Sequence, residues 1–180
     1  MSRIDESKKF IPVRIAVLTV SDTRSIEEDR SGATLVKLLE DAGHNLADRK
    51  IVHDERTTIA DQLRAWCTNQ DVDVIITTGG TGLTGRDVTV EAHRDVYEKE
   101  IEAFATVFTT MSLQKIGTSA VQSRATGGVA MGTYLFALPG SPGACKDAWD
   151  NILKWQLDYR HRPCNFVEIM PRLDEHMRRK

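Results

Sequence analysis

The fold this sequence predicts is a three-layer α-β-α domain built on a mostly parallel, doubly wound sheet. Three observations carry that expectation: short apolar runs rich in β-branched residues, amphipathic helical stretches alternating with them, and polar turns bearing glycine directly after the best runs. The chain's 180 residues suit one domain, and 41% hydrophobic with 28% charged residues is the composition of a globular core.

Taken in order, Ile15–Val20 is an apolar run bounded by Ser21-Asp22 and reads as a strand buried on both faces. Thr23 to Arg30 is charged and loop-like, and the helix after it carries Ala33 to Val36, Leu38 and Leu39 before stopping at Ala42-Gly43. Leu46–Val52 is a second, weaker strand. Thr58 to Asp61 has the spacing of a loose capping box, opening a helix with Ile59, Leu63, Trp66 and Cys67 on one stripe.

Val72–Thr78 is the strongest strand and runs straight into Gly79-Gly80-Thr81-Gly82. A long helical region follows, with Ile101, Phe104, Ala105, Phe108 and Met111 at helical spacing. Gly127-Gly128 break the chain before a short strand near Val129–Met131, and Tyr134–Leu138 is another buried strand. Ser141 is placed to cap the last helix and Pro142 to open it; Cys145, Ala148, Trp149, Ile152, Leu153 and Gln156 line one side. The expected organisation is an N-terminal extension (1–12), one α/β domain (13–157) and a C-terminal surface arm (158–180).

Composition excludes several function classes. A formal charge of −2 gives no broad attraction to nucleic acid. No apolar stretch approaches membrane-spanning length, and Met1–Lys9 is too polar for a signal peptide, so a cytoplasmic protein without a membrane partner is expected. Cys67, Cys145 and Cys164 lie far apart with no C-x-x-C pair, which suits free thiols rather than zinc. The five histidines lack metal-ligand spacing, and no nucleophile triad is legible.

Ligands of open parallel sheets bind beyond the carboxyl ends of the strands. Ser21-Asp22, Thr78–Gly82 and Pro139–Pro142 should therefore meet at one edge. Gly79, Gly80 and Gly82 let the backbone approach an anion and turn amides toward phosphate, and the following helix would add its positive end. A tight strand-to-helix turn is the plainer use of the same glycines. Gly80-x-Gly82-x-x-Gly85 matches the dinucleotide fingerprint formally. The acidic residue that fingerprint needs about 20 residues on would fall inside the helical stripe, so a nicotinamide-dependent dehydrogenase is rejected. Asp87, beside a phosphate-cradling turn, repels an anion unless a cation stands between; Mg²⁺ held by Asp87 and Asp54 supplies one. Each aspartate has a plainer use as a cap or loop residue. Arg124 has the fork to grip a phosphate, or a surface carboxylate.

Thr19–Asp22, Asp29–Gly32, Thr77–Gly82, Arg86–Thr89, Ser123-Arg124 and Leu138–Pro142, in that order, resemble the MoaB/MogA family, whose fold also forms the G domain of gephyrin. The likeness runs from about Val13 to Leu157, and Pro163–Phe166 looks closest to the MoaB branch. It implies a molybdopterin-binding fold assembled as trimers or hexamers, with other enzymes of the same pathway as further partners. Active members adenylylate molybdopterin with Mg²⁺-ATP and release pyrophosphate. By motif position, Asp87 and Asp54 are the catalytic and Mg²⁺-holding acids. Ser21, Asp22 and Thr78 to Gly82 (Thr78, Gly79, Gly80, Thr81, Gly82) meet the nucleotide. Ser123, Arg124, Pro139, Gly140 and Ser141 meet the pterin. Ser141 departs from the Asn or Gln of many active members, so a non-catalytic oligomer that binds molybdopterin or a pterin intermediate is the alternative.

Overall fold

A computed structural model describes residues 3–178. In chain order the elements are β1 (Arg3–Ile4), β2 (Arg14–Val20), α1 (Arg30–Asp41), β3 (Asn45–Val52), α2 (Arg56–Cys67), β4 (Val74–Thr78), α3 (Thr89–Arg94), β5 (Lys99–Glu100), α4 (Glu102–Ile116), β6 (Thr126–Ala130), β7 (Thr133–Leu138), α5 (Pro142–Ala148) and β8 (His161–Arg162). The main sheet has the order β3-β2-β4-β7-β6-β5. Its first four strands run parallel, whereas β6 and β5 pair antiparallel at the far edge.

Alternation along the central strands splits the core in two, as residues on a strand must. Ile15, Val17, Val74, Ile76, Tyr134, Phe136 and Leu138 face α1, α4 and α5. Ala16, Leu18, Val20, Ile75 and Leu135 face α2 and α3. Both faces are covered, so the three-layer expectation holds. Phe136 is fully buried against the rings of Phe104, Tyr134 and Phe166, with centroids 4.8, 6.3 and 5.7 Å away. Burial of one such side chain stabilises the fold by roughly 1.5–3 kcal/mol.

Several local expectations are corrected. α1 begins earlier than expected, at Arg30, because Asp29 caps it by accepting the Gly32 amide at 2.8 Å. That buried carboxylate also takes the Thr19 hydroxyl at 2.7 Å and Arg49 at 2.9 Å, so it ties β2, β3 and α1 together. The capping box at Thr58 does not form: α2 starts at Arg56, and the Thr58 hydroxyl bonds to Glu55. The long helical region is two helices, α3 and α4, separated by β5. Gly127 and Gly128 do not break a strand but lie inside β6. A Cβ on Gly127 would meet Phe136 at 2.9 Å, and one on Gly128 would meet the Tyr97 ring at 2.5 Å. The helix expected after Ser141 caps on it and opens with Pro142, then continues through a π turn (Trp149–Leu153) to Gln156. It is not the last, since short helices follow at Phe166–Ile169 and Glu175–Arg178.

The C-terminal segment, described as far as Arg178, folds back on the domain. β8 pairs with β1, Arg162 bridges Asp5 at 2.8 Å, and the Tyr134 hydroxyl donates to the Phe166 carbonyl at 3.0 Å. Cys67 and Cys145 are buried and Cys164 is exposed, all three as free thiols; burial pushes Cys67 up to about 12 and Cys145 up to about 11. Among the described residues no helix is long and apolar enough to cross a membrane.

His44 offers a test of this core. It is buried beside Phe10 and Trp149, and its Nδ1 accepts the Val13 amide at 3.2 Å, which fixes a neutral ring. Burial lowers its pKa from 6.5 to about 4. Between those values the unfolded chain holds a proton that the folded chain does not, so stability falls as pH drops through the window from 6.5 to about 4. His44→Gln should reduce the slope of unfolding free energy against pH there by up to roughly 1.4 kcal/mol per pH unit. Urea titrations across that range measure it, and an unchanged slope would contradict the neutral, buried ring.

Candidate functional site

The site forms where parallel strands end. β2, β4 and β7 are side by side in register, with Thr19 opposite Thr78 and Thr78 opposite Leu138. The turns that leave them therefore converge. The Gly79 amide donates to the Leu138 carbonyl at 3.1 Å, and a Cβ on Gly140 would meet the Gly79 Cα at 3.0 Å.

Glycine is required at the centre of this junction. Gly79 and Gly80 hold φ of +99° and +63°, the left-handed region that side chains disfavour. A Cβ on Gly79 would meet the Val20 carbonyl at 2.4 Å. Thr89, fully buried, secures the turn from α3: its hydroxyl donates to the Gly79 carbonyl at 2.8 Å and its amide to the Gly80 carbonyl at 2.9 Å.

A cleft of about 390 Å³ opens over this junction. Of the expected residues, Ser21, Asp54, Gly79, Gly80, Thr81, Gly82, Asp87, Ser123, Pro139 and Gly140 line it. Val20, Arg24, Arg86 and Gln122 line it as well and were not singled out from the sequence. Charge alone does not distinguish a cleft arginine from the many surface ones, although Arg86 adjoins Asp87 in the Arg86–Thr89 motif.

Four expected residues sit elsewhere. Thr78 is fully buried; its hydroxyl donates to the Pro139 carbonyl at 3.1 Å and meets the Cys145 Sγ at 3.2 Å, so it joins strand ends. Ser141 spends its hydroxyl on the Ala144 amide at 3.2 Å, as the α5 cap. Asp22 lies in an adjoining cleft of about 460 Å³ with Arg24 and His53, where it pairs with Arg86 and accepts the Asp54 amide at 3.1 Å. Arg124 reaches into the back of the glycine turn with its side chain half-buried, and is outside the lining of the cleft. The helix expected directly after the turn starts only at Thr89 and has six residues, so its positive end adds little. Residues Leu83 to Val88 intervene as a tight loop closed by the Asp87 amide on the Thr84 carbonyl at 3.0 Å.

The two central acids differ electrically. Asp54 is not the α2 cap, a place taken by Glu55. Its pKa is raised, first by burial and then by the charges of Asp22 and Asp87. Asp87 accepts the Thr84 hydroxyl at 2.7 Å and the Thr84 amide at 2.9 Å, and these bonds hold its pKa below the usual carboxylate range. Part of the plain loop role foreseen for Asp87 is thus present alongside its cleft position.

Among the described residues no three His, Cys, Asp or Glu side chains converge to cage a metal. A cation here would draw on two carboxylates and complete its shell with ligand oxygens and water, the usual habit of Mg²⁺ at phosphates. Burial first, and then the charges of Asp22 and Asp87, raise the pKa of Asp54, and a cation between the two acids would offset that cost. The residues fit the ion.

Comparison with known proteins places the chain. The family profile described as a probable molybdopterin binding domain matches residues 16–159. Molybdenum cofactor biosynthesis protein B of Escherichia coli (strain K12) is 49% identical over 160 residues, covering 89% of this chain and 94% of that protein. A solved structure of a molybdenum cofactor biosynthesis protein B superposes with a TM-score of 0.84 at 37% identity, covering 93% of this chain and 99% of that one. The tungsten cofactor synthesizing protein MoaB from Pyrococcus furiosus gives 0.67 at 32% identity, covering 79% and 91%. With the fold, the order of its turns and these likenesses in agreement, the chain belongs to the MoaB/MogA family of molybdenum-cofactor biosynthesis proteins.

Proposed function

We propose that the chain adenylylates molybdopterin with Mg²⁺-ATP and releases pyrophosphate. One observation carries this reading: the two acids flank a single glycine turn. A Cβ on Gly80 would meet Asp54 Oδ1 at 2.6 Å, and one on Gly82 would meet Asp87 Oδ2 at 2.8 Å. Backbone amides favour phosphate and bare carboxylates disfavour it, so acids set against such a turn suit a phosphate that arrives with its cation.

In this reading the pterin's terminal phosphate oxygen attacks the α-phosphorus of ATP. The bond from that phosphorus to the bridging oxygen breaks, and pyrophosphate leaves. Such transfers need positioning and charge neutralisation more than covalent help, which suits a cleft with no built nucleophile. Mg²⁺, when bound, neutralises charge building on the phosphates. The chain's own part is to orient: Asp54 and Asp87 hold the cation side of the triphosphate, and the amides after Gly79 receive its oxygens. Arg24 and Arg86 add positive charge at the mouth. Ser21, Ser123, Pro139 and Gly140 complete the walls available to nucleoside and pterin. The same proposal puts the reaction in the cytoplasm, where Cys67, Cys145 and Cys164 stay as thiols.

Self-association as a trimer or hexamer is part of this reading. The support is apolar surface along α4 and the turn after it: Val107, Leu113, Ile116 and Val121 are 45 to 73% exposed. Light scattering on the size-exclusion peak should give three or six copies, and a monomer at micromolar concentration would contradict it.

Purified chain mixed with molybdopterin, ATP and Mg²⁺ should release pyrophosphate. Asp87→Asn keeps an acceptor for the Thr84 bonds but removes the charge, so release should fall at least about 100-fold with little change in the unfolding midpoint. Release at the parent's rate would remove Asp87 from the reaction. Tight molybdopterin binding with no pyrophosphate from the parent would instead favour the non-catalytic pterin-binding oligomer.

A further inference from the structure

We infer that Arg124 is a positioning residue that aims the glycine-turn amides and Asp87 from behind the cleft, rather than a contact for the pterin. The inference rests on the adenylylation reading and says how that site is held in shape.

The half-buried guanidinium makes five hydrogen bonds to protein. Nε donates to the Thr81 and Gly82 carbonyls, each at 3.0 Å, and one Nη donates to the Asp87 carbonyl at 3.1 Å. Both Nη atoms also reach the Glu91 carboxylate on α3, at 2.5 and 3.2 Å. Its neighbour Ser123 lines the cleft, and Arg124 does not. The resemblance that assigns Arg124 to the pterin therefore conflicts with where its donors go.

Those bonds fix the direction of the turn. A trans peptide sends its C=O and N–H in opposite directions. Holding the Thr81 carbonyl toward Arg124 turns the Gly82 amide the other way, toward Asp87, whose carboxylate lies close to Gly82. That amide hydrogen-bonds to the Asp87 carboxylate. Asp87 is consequently held at both ends: its carbonyl by Arg124, and its carboxylate by Thr84. Glu91 keeps the fork from rotating, and Thr89, two residues earlier on α3, grips Gly79 and Gly80. One planar side chain thus links Thr81, Gly82, Asp87 and α3. A lysine, with one compact ammonium, lacks the fork to do this.

Arg124→Lys and Glu91→Gln separate the two roles. For both, the structure leads us to expect kcat for pyrophosphate release roughly 10- to 100-fold lower, because a small misplacement of the reacting groups is costly. The KM for molybdopterin should stay near the parent value, since no pterin contact is lost. Amide hydrogen exchange should accelerate across Gly80 to Asp87 in Arg124→Lys while β2 and β4 exchange as in the parent. A higher molybdopterin KM at unchanged kcat would overturn the inference and restore Arg124 as a pterin contact. So would unchanged exchange in the turn. If the parent releases no pyrophosphate, the adenylylation reading fails by itself. The exchange measurement, which needs no turnover, then decides the clamp: acceleration upholds it and no change overturns it.

Discussion

The site depends on how closely three strand ends can approach one another at Gly79. The left-handed turn there lies against the Val20 carbonyl and the Gly140 backbone, and any side chain would push the three loops apart. Close approach of this kind brings residues far apart in the sequence to one place: Ser21 from β2, Asp54 after β3, the glycine turn after β4 and Pro139-Gly140 after β7. The parallel register of β2, β4 and β7 sets the height of each turn, so cleft geometry follows from sheet geometry.

Charge within the cleft is arranged as opposed pairs rather than as one basic patch, in keeping with the formal charge of −2. Asp22 is held by Arg86, and Asp87 by Thr84 with Arg124 nearby, and both carboxyls are lowered. Asp54 has burial and two neighbouring acids against it, and it alone of the three is raised. In the proposed reading, a divalent cation shared with phosphate would offset this imbalance.

Much of the fold could be read from the chain, because β2, β4 and β7 are buried on both faces and announce themselves as unbroken apolar runs. The sheet edge could not. β5 has two exposed residues, Lys99 and Glu100, and α3 has six, too few to show a period. Gly127 and Gly128 mimic a break because the rings that occupy their missing side-chain space, from Tyr97, Phe104 and Phe136, come from other elements. At the site, the glycine turn and Asp87 were legible, since a carboxylate beside a phosphate-type loop is a local anomaly, and Asp54 was found from its place after the second strand and its motif position. Arg24 and the clamp made by Arg124 and Glu91 were not, because their partners are set by tertiary contacts across 116 and 33 residues, and Gln122 shows itself only by lining the cleft. Asp29 stood out in the sequence only as part of a family motif, because its structural role lies in Thr19 and Arg49, on neighbouring strands.

The most direct measurement is a crystal structure of the chain with Mn²⁺ and a non-hydrolysable ATP analogue, located by anomalous scattering. The account predicts one Mn²⁺ peak bridging Asp54 and Asp87 to the triphosphate, with phosphate oxygens over the amides that follow Gly79. A triphosphate bound elsewhere, or a metal ion touching neither acid, would contradict it.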